Sequence, residues 1–359
     1  MRIMHCLFGF NIGGIEVMVK NLSISATKHQ IKSHIVALSI DDRKMIEDKF
    51  AEIFNHSDIT FTCLNKPFKK HRLKTIFDLR DEINKFKPTI ILIHLEMLTP
   101  YLLLACLGLK VKCVQVVHNE VTEGDFFHRW FGRYFVKHYV FVSNRAYHHG
   151  INAFKCENKA TVIHNGIDLS FHNNHFNTEL SFLFVGRLTT QKDPLALIAI
   201  YEDFKNKISD DKVVTLHIVG DGELKQACEE AIKCRNLSDK IFIFGNKSDI
   251  DQYYHQHSIL LLPSLWEGLP LVIMEAMAYG MACISYDVGG VSEIIDNKVN
   301  GILIPPQERS AFVDAMLKLV NDDQYRWQIQ KQAREKATTF AITNTFDKYL
   351  ALFQKLKGD

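Results

Sequence analysis

Short runs of branched and aromatic residues alternate along the chain with longer stretches whose apolar positions recur every three or four residues. The short runs predict strands at 3–10, 34–40, 89–95, 113–118, 139–143 and 161–164. Between them, Ile15, Val19, Leu22 and Ala26 share one helical face, as do Ile76, Leu79, Ile83 and Phe86. A second series predicts strands at 181–185, 213–219, 240–244, 259–262 and 282–286, with helices at 194–208, 223–236, 270–280 and 310–320. Such alternation is the pattern of parallel sheets covered by helices, so the expected fold class is α/β, with two Rossmann-like, doubly wound domains facing each other across a cleft. The polar stretch 168–178 reads as an exposed linker and sets the division. The expected domains are an N-terminal one over residues 1–170 and a C-terminal one over 171–340. The amphipathic pattern at 344–357 predicts a C-terminal helix within 341–359, with a return to the N-terminal domain as one arrangement.

Composition changes this picture little. A chain of 359 residues suits two domains, and 47% hydrophobic with 23% charged residues is ordinary for a globular protein. A net charge of +2 excludes a uniformly basic nucleic-acid-coating protein, so no nucleic-acid partner is expected. No two of the eight cysteines have the short spacing of zinc ligands, and they read as small buried residues of a reducing compartment. The opening segment has no secretory pattern, and the most apolar stretch, 101–109, is far short of the ~20 residues needed to span a bilayer. A cytoplasmic location follows as the expectation.

The most informative segment runs from Pro263 to Ala278. A strand ends near Pro263, a loop carrying Glu267 and Gly268 follows, and a helix begins near Pro270, a favoured first helical position. The free backbone N–H groups at such a helix start form an anion site suited to phosphate. Glu275 is the only charge between Leu269 and Asp287, and its carboxylate can accept both hydroxyls of a diol such as ribose. Glu267 falls where a sugar on that phosphate would lie. Gly186-Arg187 follows the first strand of the second half, with Lys192 soon after, a pair of cations able to neutralise a departing diphosphate. In the first half, Gly13-Gly14 follows the first strand and His118 ends the fourth. Each has a plainer reading: Glu267 as a surface charge, Glu275 as a helix-dipole partner, Arg187 and His118 as strand-end residues.

Taken together these residues resemble family four of the retaining glycosyltransferases, which have the GT-B fold. The likeness runs through Gly13-Gly14 with Glu16, His118, Asn165-Gly166-Ile167-Asp168, Gly186-Arg187, Lys192-Asp193, Gly220-Asp221-Gly222, Gly289-Gly290 with Glu293, and Asn300-Gly301. It is strongest in Glu267 and Glu275, separated by seven residues. Pro270 and Met281-Ala282 depart from the family's commoner residues without touching a proposed contact. The resemblance implies that Arg187 and Lys192 bind the diphosphate of a nucleotide-sugar donor, Glu275 its ribose, and Glu267 with His118 the transferred sugar. Glu267, His118, Arg187 and Lys192 would be the catalytic set. Gly13, Gly14, Gly186, Gly220 and Gly245, with the backbone of Gly268, Leu269 and Leu271, would line the donor site. Retention of anomeric configuration without a metal or other cofactor is implied, and domain closure would exclude water.

Two basic stretches bear on the acceptor. Lys66, Lys69, Lys70, Arg72 and Lys74 crowd one segment, and a predicted helix over 126–138 would align Arg129, Arg133 and Lys137 beside aromatics. Both suit anionic lipid headgroups, and a lipid-linked saccharide acceptor at the inner membrane face is the expectation, with a solvated basic face as the alternative. Rival functions are a nucleotide-sugar epimerase or hydrolase on the same fold, a non-catalytic nucleotide-sugar-binding protein, and a nicotinamide-dependent oxidoreductase. The last is disfavoured because Gly220-Asp221-Gly222-Glu223-Leu224-Lys225 ends in lysine.

Overall fold

The computed structural model describes residues 1–11, 13–40, 46–48, 50–66, 71–121, 132–170, 180–209 and 212–358, Arg133 by its backbone alone. Two compact units divide the chain, Met1–Gly166 with Ile342–Asp359, and Ile167–Ala341.

The first unit is built on a parallel sheet of β1 (Arg2–Gly9), β2 (Lys32–Ser39), β3 (Ile59–Cys63), β4 (Ile90–Ile93), β5 (Lys112–Val117), β6 (Val136–Phe141) and β7 (Ala160–Val162). Their order is β3-β2-β1-β4-β5-β6-β7. Helices α1 (Gly14–Lys28), α2 (Arg72–Phe86), α3 (Thr99–Ala105) and α4 (Asn144–Phe154) supply the crossovers. All four residues of β4 are buried, the continuous apolar run of a strand covered on both faces.

The second unit repeats the scheme with β8 (Ser181–Val185), β9 (Thr215–Val219), β10 (Ile241–Ile243), β11 (Ile259–Leu262), β12 (Ala282–Tyr286) and β13 (Ile302–Ile304), in the order β10-β9-β8-β11-β12-β13. Its helices are α5 (Pro194–Lys205), α6 (Lys225–Cys234), α7 (Asp251–Gln256), α8 (Leu271–Ala278), α9 (Arg309–Asn321) and α10 (Asp323–Ala337). Asp193 caps α5, its carboxylate accepting from the Ala196 N–H at 3.2 Å with Pro194 in the first turn. The chain then enters α11 (Ile342–Gly358), which belongs to the first unit and packs on α1. Phe346, Tyr349 and Phe353 are buried there, and the Thr345 hydroxyl donates to the His164 carbonyl at 3.0 Å. A side chain at Gly166 would meet that hydroxyl at 2.6 Å, which gives the Asn165-Gly166 turn a packing role.

Several elements depart from expectation. The strand β3, Ile-Thr-Phe-Thr-Cys, is half polar and short, and β13 spans three residues, so neither announces itself. The helix α10 buries Arg326 and Gln330 beside Ile329 and Ala333, which blurs its apolar face. Most of the helix expected over 126–138 lies outside the described residues, and its end is overturned. Among the described residues of that stretch the α-helical turn is Arg133–Phe135, and Lys137 stands exposed on β6. Val136, Tyr139, Val140 and Phe141 are better satisfied pairing with β5. Lys69, Lys70 and Arg129, and the side chain of Arg133, fall outside the described residues. Cys234 is exposed and Cys63 half-buried, against the expectation of burial, because each lies at the end of its element; the other six are buried.

Candidate active site

In the second unit the strand order departs from β8 in both directions, to β9 on one side and β11 on the other. The loops after β8 and β11 therefore diverge, and a crevice at the carboxyl ends of the strands is the expected ligand position. The two loops are tied by backbone and side chain. The Leu265 N–H donates to the Gln191 carbonyl at 2.8 Å, and the Gln191 amide donates to the Trp266 carbonyl at 3.0 Å. Inside this frame the Lys192 ammonium, 14% exposed, donates to the carboxylate of Glu267, 5% exposed. A buried carboxylate is thus held by one hydrogen-bonded cation from the neighbouring loop. Arg187 is exposed, and its side chain has no hydrogen bond or ion pair among the described residues.

Close backbone approach fixes the rest of the rim. Gly289 has φ +56°, and a Cβ there would stand 1.8 Å from the Glu267 carbonyl oxygen. The next residue, Gly290, donates its N–H to the Gly268 carbonyl at 2.7 Å. Across the sheet, Gly220 has φ +149°, and a Cβ would lie 1.9 Å from the carbonyl oxygen of Gly186. The Gly220 N–H donates to the Gly245 carbonyl at 2.9 Å, which carries the rim to β10. Gly268, Leu269 and Leu271 are buried at the start of α8. Pro270 is the residue before the first helical one, with ψ 112°, so its ring ends the loop and does not begin the helix as expected. Glu275 lies within α8, where the Tyr254 hydroxyl from the end of α7 donates to it at 2.8 Å. Tyr254 stacks on Tyr279 at 5.3 Å, and burial, with the adjacent Glu275 carboxylate, holds its phenol well above the ordinary range. Glu275 therefore faces a permanent donor.

The first unit places its own candidates at strand ends. Gly13 caps α1 with extended backbone, and a Cβ there would meet the Glu16 carboxylate at 2.7 Å. Glu16 reaches back to accept from the Asn11 N–H at 3.2 Å, so the Gly13-Gly14 start is closed over by a carboxylate in the third helical position. Beyond β5, His118 is buried and its Nε2 lies 3.1 Å from Nδ1 of His94, whose Nε2 lies 3.1 Å from Nδ1 of His5. Desolvation lowers all three: His118 to about 4, His5 to about 3, and His94 well below its ordinary value.

These shifts carry a sign for stability. An unfolded histidine titrates near 6.5, and the folded chain resists protonation until about 4 at His118. The stabilisation is complete above about pH 6.5 and is lost as pH falls towards 4. At about 1.4 kcal/mol per unit, His118 alone accounts for roughly 3 kcal/mol. His138 in the first unit and His257 in the second are also held at about 4, so both units share the effect. The melting temperature is expected to drop steeply between pH 6.5 and 4, and a flat calorimetric profile across that window would contradict buried neutral histidines.

The structure thus joins Lys192 to Glu267 and sets Gly186, Gly220, Gly245, Gly268, Leu269, Leu271 and Glu275 in connected loops of one unit, with Gly13, Gly14 and His118 at strand ends of the other. Sequence reasoning missed Gln191, Tyr254, His5 and His94. The available signal was a histidine inside the apolar strand Met4-His5-Cys6-Leu7. Among the described residues no group of three or more His, Cys, Asp or Glu could hold a metal ion, and no helix is long and apolar enough to cross a membrane.

Parallel sheets with helical crossovers and a switch point at β8 define an α/β protein of the doubly wound class. Comparison narrows it. Residues 12–171 match the profile of Glycosyltransferase Family 4, and residues 167–336 that of Glycosyl transferases group 1. The chain belongs to this family of glycosyltransferases and has the GT-B fold. It is 32% identical over 212 residues to the UDP-Gal:alpha-D-GlcNAc-diphosphoundecaprenol alpha-1,3-galactosyltransferase of Escherichia coli, covering 54% of each chain. It is 28% identical over 205 residues to the poly(ribitol-phosphate) alpha-N-acetylglucosaminyltransferase of Staphylococcus aureus, covering 56% of this chain and 41% of that one. The chain spans about half the length of the curated relatives it matches. Among solved structures, Anabaena Alr3699/HepE in complex with UDP-glucose aligns with a TM-score of 0.83 at 16% identity, over 99% of this chain and 100% of that one.

Proposed function

We propose that the protein is a retaining, metal-independent glycosyltransferase that moves a sugar from a nucleotide-diphosphate donor, a UDP-sugar for preference, to a lipid-linked saccharide in cell-surface glycan synthesis. The observation that carries this reading is the part-buried Lys192–Glu267 pair at the β8/β11 switch point, in the loop that leads into the helix bearing Glu275. When the glycosidic bond to the diphosphate breaks, negative charge grows on the leaving phosphate oxygen. Lys192 and the exposed fork of Arg187 supply the compensating positive charge in place of a divalent ion. Glu275, steadied by Tyr254, takes the ribose hydroxyls, and Glu267 with His118 takes the transferred sugar.

On the acceptor side, Leu73 (73% exposed) and Phe77 (66%) project one turn apart on α2, flanked by exposed Arg72 and Lys74. The packed helix α3 and its flanking turns add exposed Met97, Leu104 and Leu107. Exposed apolar side chains beside cations suit the inner face of an anionic membrane, where a lipid-linked acceptor would be met. The E. coli relative is named for a diphosphoundecaprenol acceptor, which agrees with this reading.

Thermal-shift titration with uridine, guanosine and adenosine diphosphate sugars, in chelator, tests the donor. One class is expected to stabilise the protein by about 2.7 kcal/mol at a hundred times its dissociation constant. Arg187→Ala and Glu275→Ala should lose the effect. The stabilising donor should then transfer to a polyprenyl-diphosphate sugar in preference to the same sugar free. Stabilisation by none of the donors, in folded wild type, removes the donor site; free sugar released without acceptor would make the chain a hydrolase.

A further inference from the structure

His5, His94 and His118 stand in a row because β1, β4 and β5 are neighbours in the sheet. His5 lies in β1, and His94 and His118 follow shortly after β4 and β5. The rings meet edge to edge and lie within 14° and 26° of parallel, with centroids 5.3 Å apart and facing nitrogens 3.1 Å apart at both joints. All three are buried, and desolvation keeps all three neutral.

A neutral imidazole has one N–H and one lone pair. His94 is bonded on both sides, so it donates on one and accepts on the other, and the row runs in a single direction. If protons pointed from His118 towards His5, the His5 proton would sit on Nε2, a buried atom with no partner among the described residues. In the opposite direction that atom is a bare lone pair, and an unpaired buried acceptor is better tolerated than an unpaired buried donor.

We infer that the row makes His118 a hydrogen-bond donor to substrate: His5 Nδ1–H donates to His94 Nε2, His94 Nδ1–H donates to His118 Nε2, and the remaining proton of His118, on Nδ1, is presented to an oxygen of the bound sugar or phosphate. The substrate half of this inference rests on the proposed function. His118 then acts as a donor and not as a base, and His94 and His5 are positioning residues that act through it. The facing nitrogens are engaged with one another, so the row does not converge on a metal ion.

Nitrogen-15 histidine spectra of the wild-type protein at pH 7 test the direction without any activity assay, the His118 signal being identified by its absence in His118→Asn. The expected signature is a protonated Nδ1 and an acceptor Nε2. A proton on Nε2 of His118 overturns the inference. His94→Phe keeps an aromatic ring but donates nothing, and should mix the His118 tautomers and lower kcat/KM about tenfold, the scale of one neutral hydrogen bond. His94→Asn, whose amide can still donate to His118 Nε2, should recover most of that loss. A folded His94→Phe with unaltered His118 spectrum and unaltered transfer also overturns the inference. If the Nδ1 proton is found but His118→Asn binds donor and transfers as wild type does, the substrate contact of His118 is what fails.

Discussion

Glu267→Ala is expected to lower kcat/KM for glycosyl transfer by about 10²–10³ and to cost about 3–5 kcal/mol of stability. The stability loss follows from burial: Glu267 is 5% exposed, and its removal strands a Lys192 ammonium that is itself 14% exposed. The compound variant Glu267→Ala with Lys192→Met should behave differently in the two measurements. Urea unfolding should return towards wild type, because an apolar stem replaces the stranded charge. Transfer should stay lost, because both groups proposed to meet the diphosphate and sugar are gone. Recovery of transfer together with stability would make the pair a structural tie and remove it from the chemistry.

Gly289→Ala is expected to reduce transfer by about 10² and to abolish stabilisation by donor, although the site is changed by one methyl group. That methyl would be placed 1.8 Å from the Glu267 carbonyl oxygen, where the obstacle is backbone and not the end of a flexible side chain. The neighbouring Gly290–Gly268 hydrogen bond, 2.7 Å, ties the same two loops, so neither can retreat independently. Glu267 must therefore shift by roughly an ångström, the scale at which a misplaced group loses about 10² in rate. Gly108→Ala is the control, for Gly108 also has positive φ, +77°, yet has nothing within 4 Å of the added atom. It should show only the cost of the left-handed backbone, about 1–2 kcal/mol in urea unfolding, with transfer intact. Equal behaviour of the two variants in donor binding would mean that the Gly289 contact does not hold the Glu267 loop.

Much of this architecture is local and was readable. The strands β8, β11 and β12 and the helices α5, α8 and α9 coincide with their hydrophobic periods to within a few residues. Glu275 stood out because a charge is conspicuous in a segment as apolar as 269–286, and Glu267 because it sits in the loop just before that helix. What failed did so for identifiable reasons. Strand β3 alternates threonine with apolar residues and pairs only with β2, and β13 is three residues at an edge of the second unit's sheet, so neither has the continuous apolar run of a central strand. Arg129, Arg133 and Lys137 have helical spacing, yet Val136 to Phe141 gain more from joining β5 than from completing a helix. The recurrence of basic residues every four positions decided nothing once pairing was available.

The sequence by itself determined the succession of strands and helices, the positions where only glycine lets one backbone reach another, and the chemical types available at strand ends. Those are properties of short segments, set by side-chain pattern and backbone sterics. The tertiary structure alone decided which strand ends are neighbours. Lys192 meets Glu267 across 75 positions of chain, Tyr254 meets Glu275 across 21, and His5 meets His94 across 89. The first and third follow from the orders β9-β8-β11 and β1-β4-β5 in the assembled sheets, and the second joins the helices that precede and follow β11 in the chain. The strand order is fixed by how whole elements bury their apolar faces together, a long-range balance of many small packing terms that no single window of residues contains.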